Sequence, residues 1–200
     1  MESIDTVDLA EFAKMIGLDR AAPGRYSALL TLNLLGGALS GFQNAAKVVR
    51  EIELLEAGEP GEFKQPIKNR HPPLKGLWHK HYMQDGIRSL AMNVNKGLKK
   101  YRIPVFEQMI RDAEDAGEER YVSAEDIPAI VEDIVRGNRH RLGQEQALSG
   151  EWLIFASHQG LNYYLTVATH DKATHDQVRD QIDMICCQEF PFLKQLLADA

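Results

Sequence analysis

Apolar side chains recur at helical spacing along most of this chain. The first example lies near the start and consists of Leu9, Phe12, Ala13 and Ile16. These residues occupy positions i, i+3, i+4 and i+7, which is the spacing of one face of an amphipathic helix. Similar spacing appears in three later segments, residues 104–117, 126–141 and 174–187. The pattern predicts a mainly helical protein.

The least polar stretch is residues 26–46, which contain no Asp, Glu, Lys or Arg. Apolar spacing continues beyond this stretch to a turn at residues 58–61. The stretch is long enough to span a membrane, but polar side chains and three glycines interrupt it. We therefore predict one long buried helix over residues 25–57, and a transmembrane helix is the alternative.

Residues 74–101 also place apolar and aromatic side chains on one side of a helix. Before residue 85 this side consists of Leu74, Leu77, Trp78, His81 and Tyr82. Asp85 and Gly86 interrupt the pattern, and it then resumes. We predict two helical pieces that meet at a kink or break at these two residues.

The strand signal that we identify lies in residues 151–157 and 162–169, which are rich in aromatic and β-branched side chains. Residues 159–160, a Gln-Gly pair, suit a tight turn with glycine at a positive φ. Pairing His158 with Leu161 then sets the register. The sequence therefore predicts an antiparallel hairpin.

The two faces of this hairpin differ in composition. In the predicted register Trp152 lies opposite Val167 on an apolar face, which we expect to pack on helices because an isolated hairpin is marginally stable. The half-polar face carries Leu153, Phe155 and Tyr164. We expect this second face to remain open and to bind a protein partner, with a homodimer as one form of such a complex.

Together these elements predict an α+β fold that is mainly α-helical. We expect a multi-helix core around one long buried helix, with a C-terminal antiparallel β-hairpin packed on helices. The length of 200 residues suits a single domain over residues 1–200. Within it we expect a helical lobe over about residues 1–118 and a helix–hairpin–helix lobe over about residues 119–200.

Charge is distributed unevenly along the chain. Residues 63–104, here called the basic segment, contain ten Lys or Arg and a single acid, Asp85. Their formal charge is +9 although the whole chain carries −6, so the remainder carries −15. The ten cations are Lys64, Lys68, Arg70, Lys75, Lys80, Arg88, Lys96, Lys99, Lys100 and Arg102.

This asymmetry indicates a polyanionic partner, and aromatic side chains among the cations favour RNA. We expect all of these cations except Arg88 to contact nucleic acid, and Arg88 to take part in catalysis. One alternative is that acids of the same fold neutralise the basic segment. Another is a non-catalytic interaction module that holds a protein partner through the hairpin face or the basic segment.

A candidate catalytic group lies within the basic segment. If residues 74–88 were helical, His81, Asp85 and Arg88 would share one face. A histidine oriented by an aspartate, beside an arginine that binds phosphate, could cleave RNA without a metal ion. We therefore consider a small ribonuclease of the toxin or defence kind. The alternative is that His81 is a core residue beside Trp78.

Sequence motifs for phosphate loops, dinucleotide binding, zinc sites and nucleophile elbows are absent. We expect no cofactor and no metal. The His-Asp pairs at residues 170–171 and 175–176 could ligate a metal, but Thr174 and Gln177 explain them as a helix start. Adjacent Cys186 and Cys187 suit reduced thiols. The acidic N-terminal residues do not resemble a secretion signal, so we expect a cytoplasmic protein without a membrane partner.

Overall fold

The centre of the structure is an antiparallel sheet in which four strands follow one another in chain order. The structure is a computed structural model that describes residues 8–119 and 121–200. Within these residues the strands are β1 (Ile67–Lys68), β2 (Trp78–Tyr82), β3 (Glu151–His158) and β4 (Leu161–Ala168).

Helices precede, interrupt and follow this sheet. Before β1 come α1 (Leu9–Met15), α2 (Leu18–Ala21), α3 (Ala28–Leu39) and α4 (Ala45–Ala57). Between β2 and β3 come α5 (Ile87–Tyr101), α6 (Pro104–Ala116), α7 (Ile127–Glu132), a π-helical turn (Asp133–Gly137) and α8 (Asn138–Gln144). After β4 come a 3₁₀ turn (Lys172–Thr174), α9 (His175–Gln181), a π-helical turn (Ile182–Cys186), α10 (Cys187–Glu189) and α11 (Phe192–Ala198). The predicted α+β class, mainly helical, is confirmed.

Helices cover both faces of the β3–β4 hairpin. One face packs against α1 to α4 and carries Leu153, Phe155 and Tyr164, which are 0%, 2% and 0% exposed. The other face, with Ile154 and Leu165, packs against α9 to α11. The prediction of an open face formed by Leu153, Phe155 and Tyr164 is therefore wrong, and the argument for a homodimer through it is removed.

The polar residues of the hairpin either lie near its turn or have hydrogen-bond partners, so they do not prevent helices from covering both faces. Ser157 and Asn162 lie next to the turn, where the strands leave the core. The hydroxyl of Thr166 is buried and accepts a 2.8 Å hydrogen bond from the Asn33 side chain of α3. Burying a polar group is tolerable when it has such a partner. A half-polar face is therefore compatible with a hairpin that is covered on both sides.

The predicted hairpin register is correct only near the turn. His158 pairs with Leu161 as predicted, but the register shifts between Phe155 and Ile154. A β-bulge adds one residue to a strand, so every pair beyond it changes by one position. Trp152 consequently lies opposite Ala168, and Val167 packs on the side of the sheet that faces α1 to α4.

The predicted helix over residues 25–57 is two helices, α3 and α4. At the end of α3 the Ser40 hydroxyl donates a 2.8 Å hydrogen bond to the Gly36 carbonyl, and Gly41 has a φ of +71°. The Asn44 side chain then caps α4 by accepting from the amide of Ala46. The prediction of one continuous helix is wrong because these local hydrogen bonds favour a turn. Within the described residues, no helix is both long and apolar enough to cross a membrane.

The prediction that residues 74–85 are helical is also wrong, because Trp78–Tyr82 form β2. In this strand Trp78, Lys80 and Tyr82 face one side of the sheet, whereas His79 and His81 face the other. All five residues pair with β3. The second predicted piece does form a helix, α5, which begins after Gly86 as expected.

Residues 83–150 form a helical insertion between two strands that are neighbours in the sheet. Within it α5 packs closely on α8, because Gly97 lies against the side chain of Asn138. Phe63, Leu142 and Leu148 form a small core beneath the insertion. In contrast, neither α6 nor α7 contains a buried residue.

Two glycine substitutions should change the free energy of unfolding in opposite directions, because Gly150 lies against the backbone of β2 and Gly36 has open space around it. A Cβ at Gly150 would overlap the backbone carbonyl of Tyr82, so Gly150→Ala should destabilise the fold by about 1–3 kcal/mol or more. Gly36 lies inside α3 with open space around it, so Gly36→Ala should stabilise by about 0.5–1 kcal/mol. Denaturant unfolding of both variants checks this, and equal effects would contradict it.

Candidate nucleic-acid interface

The ten cations of the basic segment divide into two groups. Four of them contact other parts of the chain: Lys75, Lys80, Lys96 and Lys100. Six are exposed and their side chains form no hydrogen bond or ion pair within the described residues: Lys64, Lys68, Arg70, Arg88, Lys99 and Arg102. Neutralisation within the fold therefore accounts for only part of the positive charge.

Lys80 is a structural residue and does not belong to an exposed interface. Its side chain is 3% exposed, and its Nζ lies 3.7 Å from the Glu51 carboxylate of α4. Nζ also donates to the backbone carbonyls of Phe63, at 3.2 Å, and Lys64, at 2.9 Å. Burial lowers the pKa of Lys80 and raises that of Glu51. The prediction that Lys80 contacts nucleic acid is therefore wrong.

Lys64, Lys96 and Lys100 lie close enough together to affect one another. The pKa of Lys96 is lowered, first by burial and then by the charges of Lys64 and Lys100. Lys96 donates to the Ala147 carbonyl and lies 3.3 Å from the Ser149 hydroxyl, whereas Lys100 pairs with Glu145. Lys64 and Lys100 therefore lie within electrostatic range of Lys96, and Glu145 offsets part of this charge.

Lys68 and Arg70 lie at the β1 edge of the sheet and just beyond it. Lys99 and Arg102 lie at the C-terminal end of α5, and Lys75 donates to the Ala200 carbonyl at 2.6 Å. Among the described residues no contact joins these five cations to one another. They extend the positive surface but do not define a site.

Burial is the main cause that lowers the pKa of His81, followed by His79 and His170, and this pKa falls to about 3. The charges of Lys64 and Lys80 are the smallest of the causes that lower it. The indole N–H of Trp152 donates a 3.1 Å hydrogen bond to Nε2 of His81. Because an indole can only donate, Nδ1 carries the proton of the neutral ring, and no lone pair remains to act as a base.

The proposed catalytic group of His81, Asp85 and Arg88 does not assemble. His81 is in a strand and Arg88 is in α5, so the shared helix face on which the assignment depended does not exist. Asp85 forms an ion pair with Lys47 instead of orienting His81. The alternative interpretation is that His81 is a core residue beside Trp78. His81 does lie among aromatic side chains, but the tryptophan that it contacts is Trp152.

Four histidines surround Trp152 and form what we call the histidine cluster: His79, His81, His170 and His175. The ring centroid of His79 lies 4.1 Å from that of Trp152, and the rings of His81 and His170 stack at 5.1 Å. Hydrogen bonds engage His79 with Asn69 at 2.8 Å and His175 with the Thr169 carbonyl at 2.9 Å. In the described part of the chain, no three His, Cys, Asp or Glu side chains are arranged to hold a metal ion.

A cleft of about 1020 Å³ adjoins the histidine cluster, between the start of α5 and the end of β4. Arg88, Ser149 and His170 line it. Its three acids all have partners, since Asp85 pairs with Lys47, Glu151 accepts from the amide of His170 at 2.9 Å and Asp171 accepts from the amide of Ala173 at 3.0 Å. The Arg88 side chain has no such partner among the described residues.

One contact connects the cations to the cleft, because Nζ of Lys96 lies 3.3 Å from the hydroxyl of Ser149, which lines the cleft. His170 connects the histidine cluster to it, since its ring lines the cleft and stacks on His81. We call Lys64, Lys96 and Lys100 the basic row, and the basic row with the cleft the candidate interface. Sequence reasoning missed Ser149 and His170 as members of it. The alternation of side chains in Trp78–Tyr82 was the available signal that His81 points away from Lys80.

Comparison with protein-family models, with curated proteins and with solved structures found no match to this chain.

The histidine cluster predicts that the fold loses stability in mild acid. Burial first, then neighbouring histidines, lower the pKa of His79 to about 4 and that of His81 to about 3. The unfolded chain binds protons near pH 6.5, so stability should fall between about pH 6.5 and pH 4. Each histidine should contribute about 2 kcal/mol of that loss between pH 7 and pH 5.

Denaturant unfolding at pH 7 and pH 5 measures this loss. A His81→Gln variant should lose less stability between the two pH values than the unmodified protein. His71→Gln, at an exposed position outside the cluster, is the control. An unchanged pH dependence in His81→Gln would contradict the assignment.

Proposed function

We propose that this protein binds RNA through the candidate interface. The observation that carries the proposal is that Lys64 and Lys100 lie within electrostatic range of Lys96, which itself contacts Ser149 in the cleft, although Lys100 also pairs with Glu145 and the chain has a net charge of −6. A phosphate backbone would relieve their repulsion and release counterions. Arg88, exposed at the other end of the candidate interface, supplies a further phosphate contact.

The cleft favours single-stranded RNA over a duplex. Sequence-tolerant binding of single strands combines a cationic groove with planar side chains on which bases stack. In our proposal the backbone follows the basic row, and a base enters the cleft to stack on His170, an exposed residue of its lining. The Ser149 hydroxyl in the cleft is a suitable hydrogen-bond partner for a ribose 2′-hydroxyl.

The proposal is one of binding, and it includes no cleavage by His81. His81 has no free lone pair, and the Nε2 of His170 is 2.6 Å from the Gly150 carbonyl oxygen and is therefore best assigned as a donor. In that tautomer the lone pair of His170 lies on Nδ1, so His170, and not His81, is the ring that could act as the general base of a ribonuclease of the toxin or defence kind. Cleavage products in a binding assay would restore that activity as a candidate.

The same cations would also suit an acidic segment of a partner protein. This interaction module is the alternative proposal, because Lys64 and Arg88 would pair with carboxylates as well as with phosphates. Competition separates the two proposals. Polyglutamate in excess should displace RNA poorly if the candidate interface is built for stacking bases as well as for charge, and efficiently if only charge is recognised.

The RNA proposal predicts a salt-dependent affinity that two cations help to set. A labelled single-stranded RNA of mixed sequence should bind more weakly as salt rises. The double variant Lys64→Ala/Arg88→Ala should lower the slope of log affinity against log salt by about 1.4, since each phosphate contact in a single strand contributes about 0.7. Fluorescence anisotropy over a salt series measures this slope.

The control for this experiment removes two exposed lysines elsewhere. Lys14→Ala/Lys194→Ala changes the net charge equally but alters α1 and α11, away from the candidate interface. This variant should keep the slope of the unmodified protein. Equal loss in both double variants would show that net charge alone matters, and undetectable binding at low salt would refute the proposal.

A further inference from the structure

Helices α6 and α7 expose an apolar surface that nothing in the described residues covers. Neither helix contains a buried residue, although α6 has the apolar spacing of an amphipathic helix. Ile110 is 44% exposed, and Tyr121, in the connection to α7, is 96% exposed. Amphipathic helices gain most of their stability from packing of the apolar side, so an uncovered side indicates a contact surface.

The uncovered side chains form a groove of about 590 Å³. Its apolar floor consists of Phe106, Met109, Ile110, Ala113, Tyr121 and Val122. A volume of this size accommodates a few large apolar side chains, which is the number that one side of a short helix presents. The groove is lined from two directions, by α6 and by the segment that leads to α7.

The rim of the groove is acidic. Glu114, Glu118 and Glu119 line it, and their carboxylates form no ion pair or hydrogen bond within the described residues. Residues 105–135 contain ten acids and two arginines, so their formal charge is −8. An apolar floor with an acidic rim is complementary to a helix with large apolar side chains on one side and Lys or Arg beside them.

We propose that this groove, here called the acidic groove, binds a cationic amphipathic helix of a partner protein. The acidic rim repels RNA, so the acidic groove is a second site with a different kind of ligand. The basic helix of this chain, α5, is an unsuitable occupant in a second copy. It already packs on α8 through the Gly97–Asn138 contact and carries the cations of the basic row.

The test uses two synthetic helical peptides of about four turns, one built from Leu and Lys and its counterpart from Leu and Glu. The labelled Leu/Lys peptide should bind the full chain in fluorescence anisotropy, and the Leu/Glu peptide should not. Ile110→Lys on the floor should weaken binding about tenfold or more. Ile87→Lys, at an 86% exposed position of α5, is its matched control and should have no effect.

A second pair of variants tests the rim. Glu114→Lys/Glu118→Lys should weaken binding of the Leu/Lys peptide about tenfold, because two attractive charges become repulsive. Glu59→Lys/Asp176→Lys changes net charge equally at exposed positions outside the acidic groove and should bind like the unmodified protein. Unchanged thermal melting in every variant shows that an effect on binding is not unfolding.

Three outcomes would overturn the proposal. In the first, neither peptide binds. In the second, the variants and their controls weaken binding of the Leu/Lys peptide equally. In the third, the protein self-associates as its concentration rises and Ile110→Lys abolishes this association. The last outcome would assign the acidic groove to a second copy of the chain. The RNA-interface variant Lys64→Ala/Arg88→Ala should bind the Leu/Lys peptide normally, so failure of either proposal leaves the other intact.

Discussion

Both faces of the β3–β4 hairpin carry buried apolar side chains, and keeping these side chains from water is the constraint on which the rest of the structure depends. Helices α1 to α4 cover one face, and helices α9 to α11 cover the other. Little of the sheet is then left for binding except its β1 edge and the region where β2 and β4 end. The cleft and the histidine cluster lie in that region, and the cations of α5 adjoin it.

The helices were predictable from the sequence where apolar spacing and a terminal glycine define them locally. Helices α1 and α6 have clear apolar spacing, and Gly58 and Gly117 end α4 and α6 in left-handed conformations. Strand β2 was missed because Leu74, Leu77, Trp78 and His81 have the spacing of a helix by coincidence. Its pairing with β3 is a tertiary interaction across residues 83–150, and such pairing overrides local preference.

The candidate interface was less predictable than the fold. The sequence indicates that residues 63–104 are basic, but not that Lys64 approaches Lys96 or that Lys80 is buried beside Glu51. These outcomes depend on which side of β2 each side chain faces, and hence on recognising β2 as a strand. The error in one element therefore produced the incorrect assignment of His81, Asp85 and Arg88.

The position of the helical insertion implies an order of events during folding. Strands β3 and β4 are joined by a two-residue turn, whereas β2 must find β3 across residues 83–150. The entropy of closing a chain loop rises only slowly with length, so the insertion costs roughly 2–3 kcal/mol more than a tight turn. We therefore expect the β3–β4 hairpin to gain protection from pulse-labelled hydrogen exchange before β2 does. On this view the insertion is a module that joins the sheet late in folding.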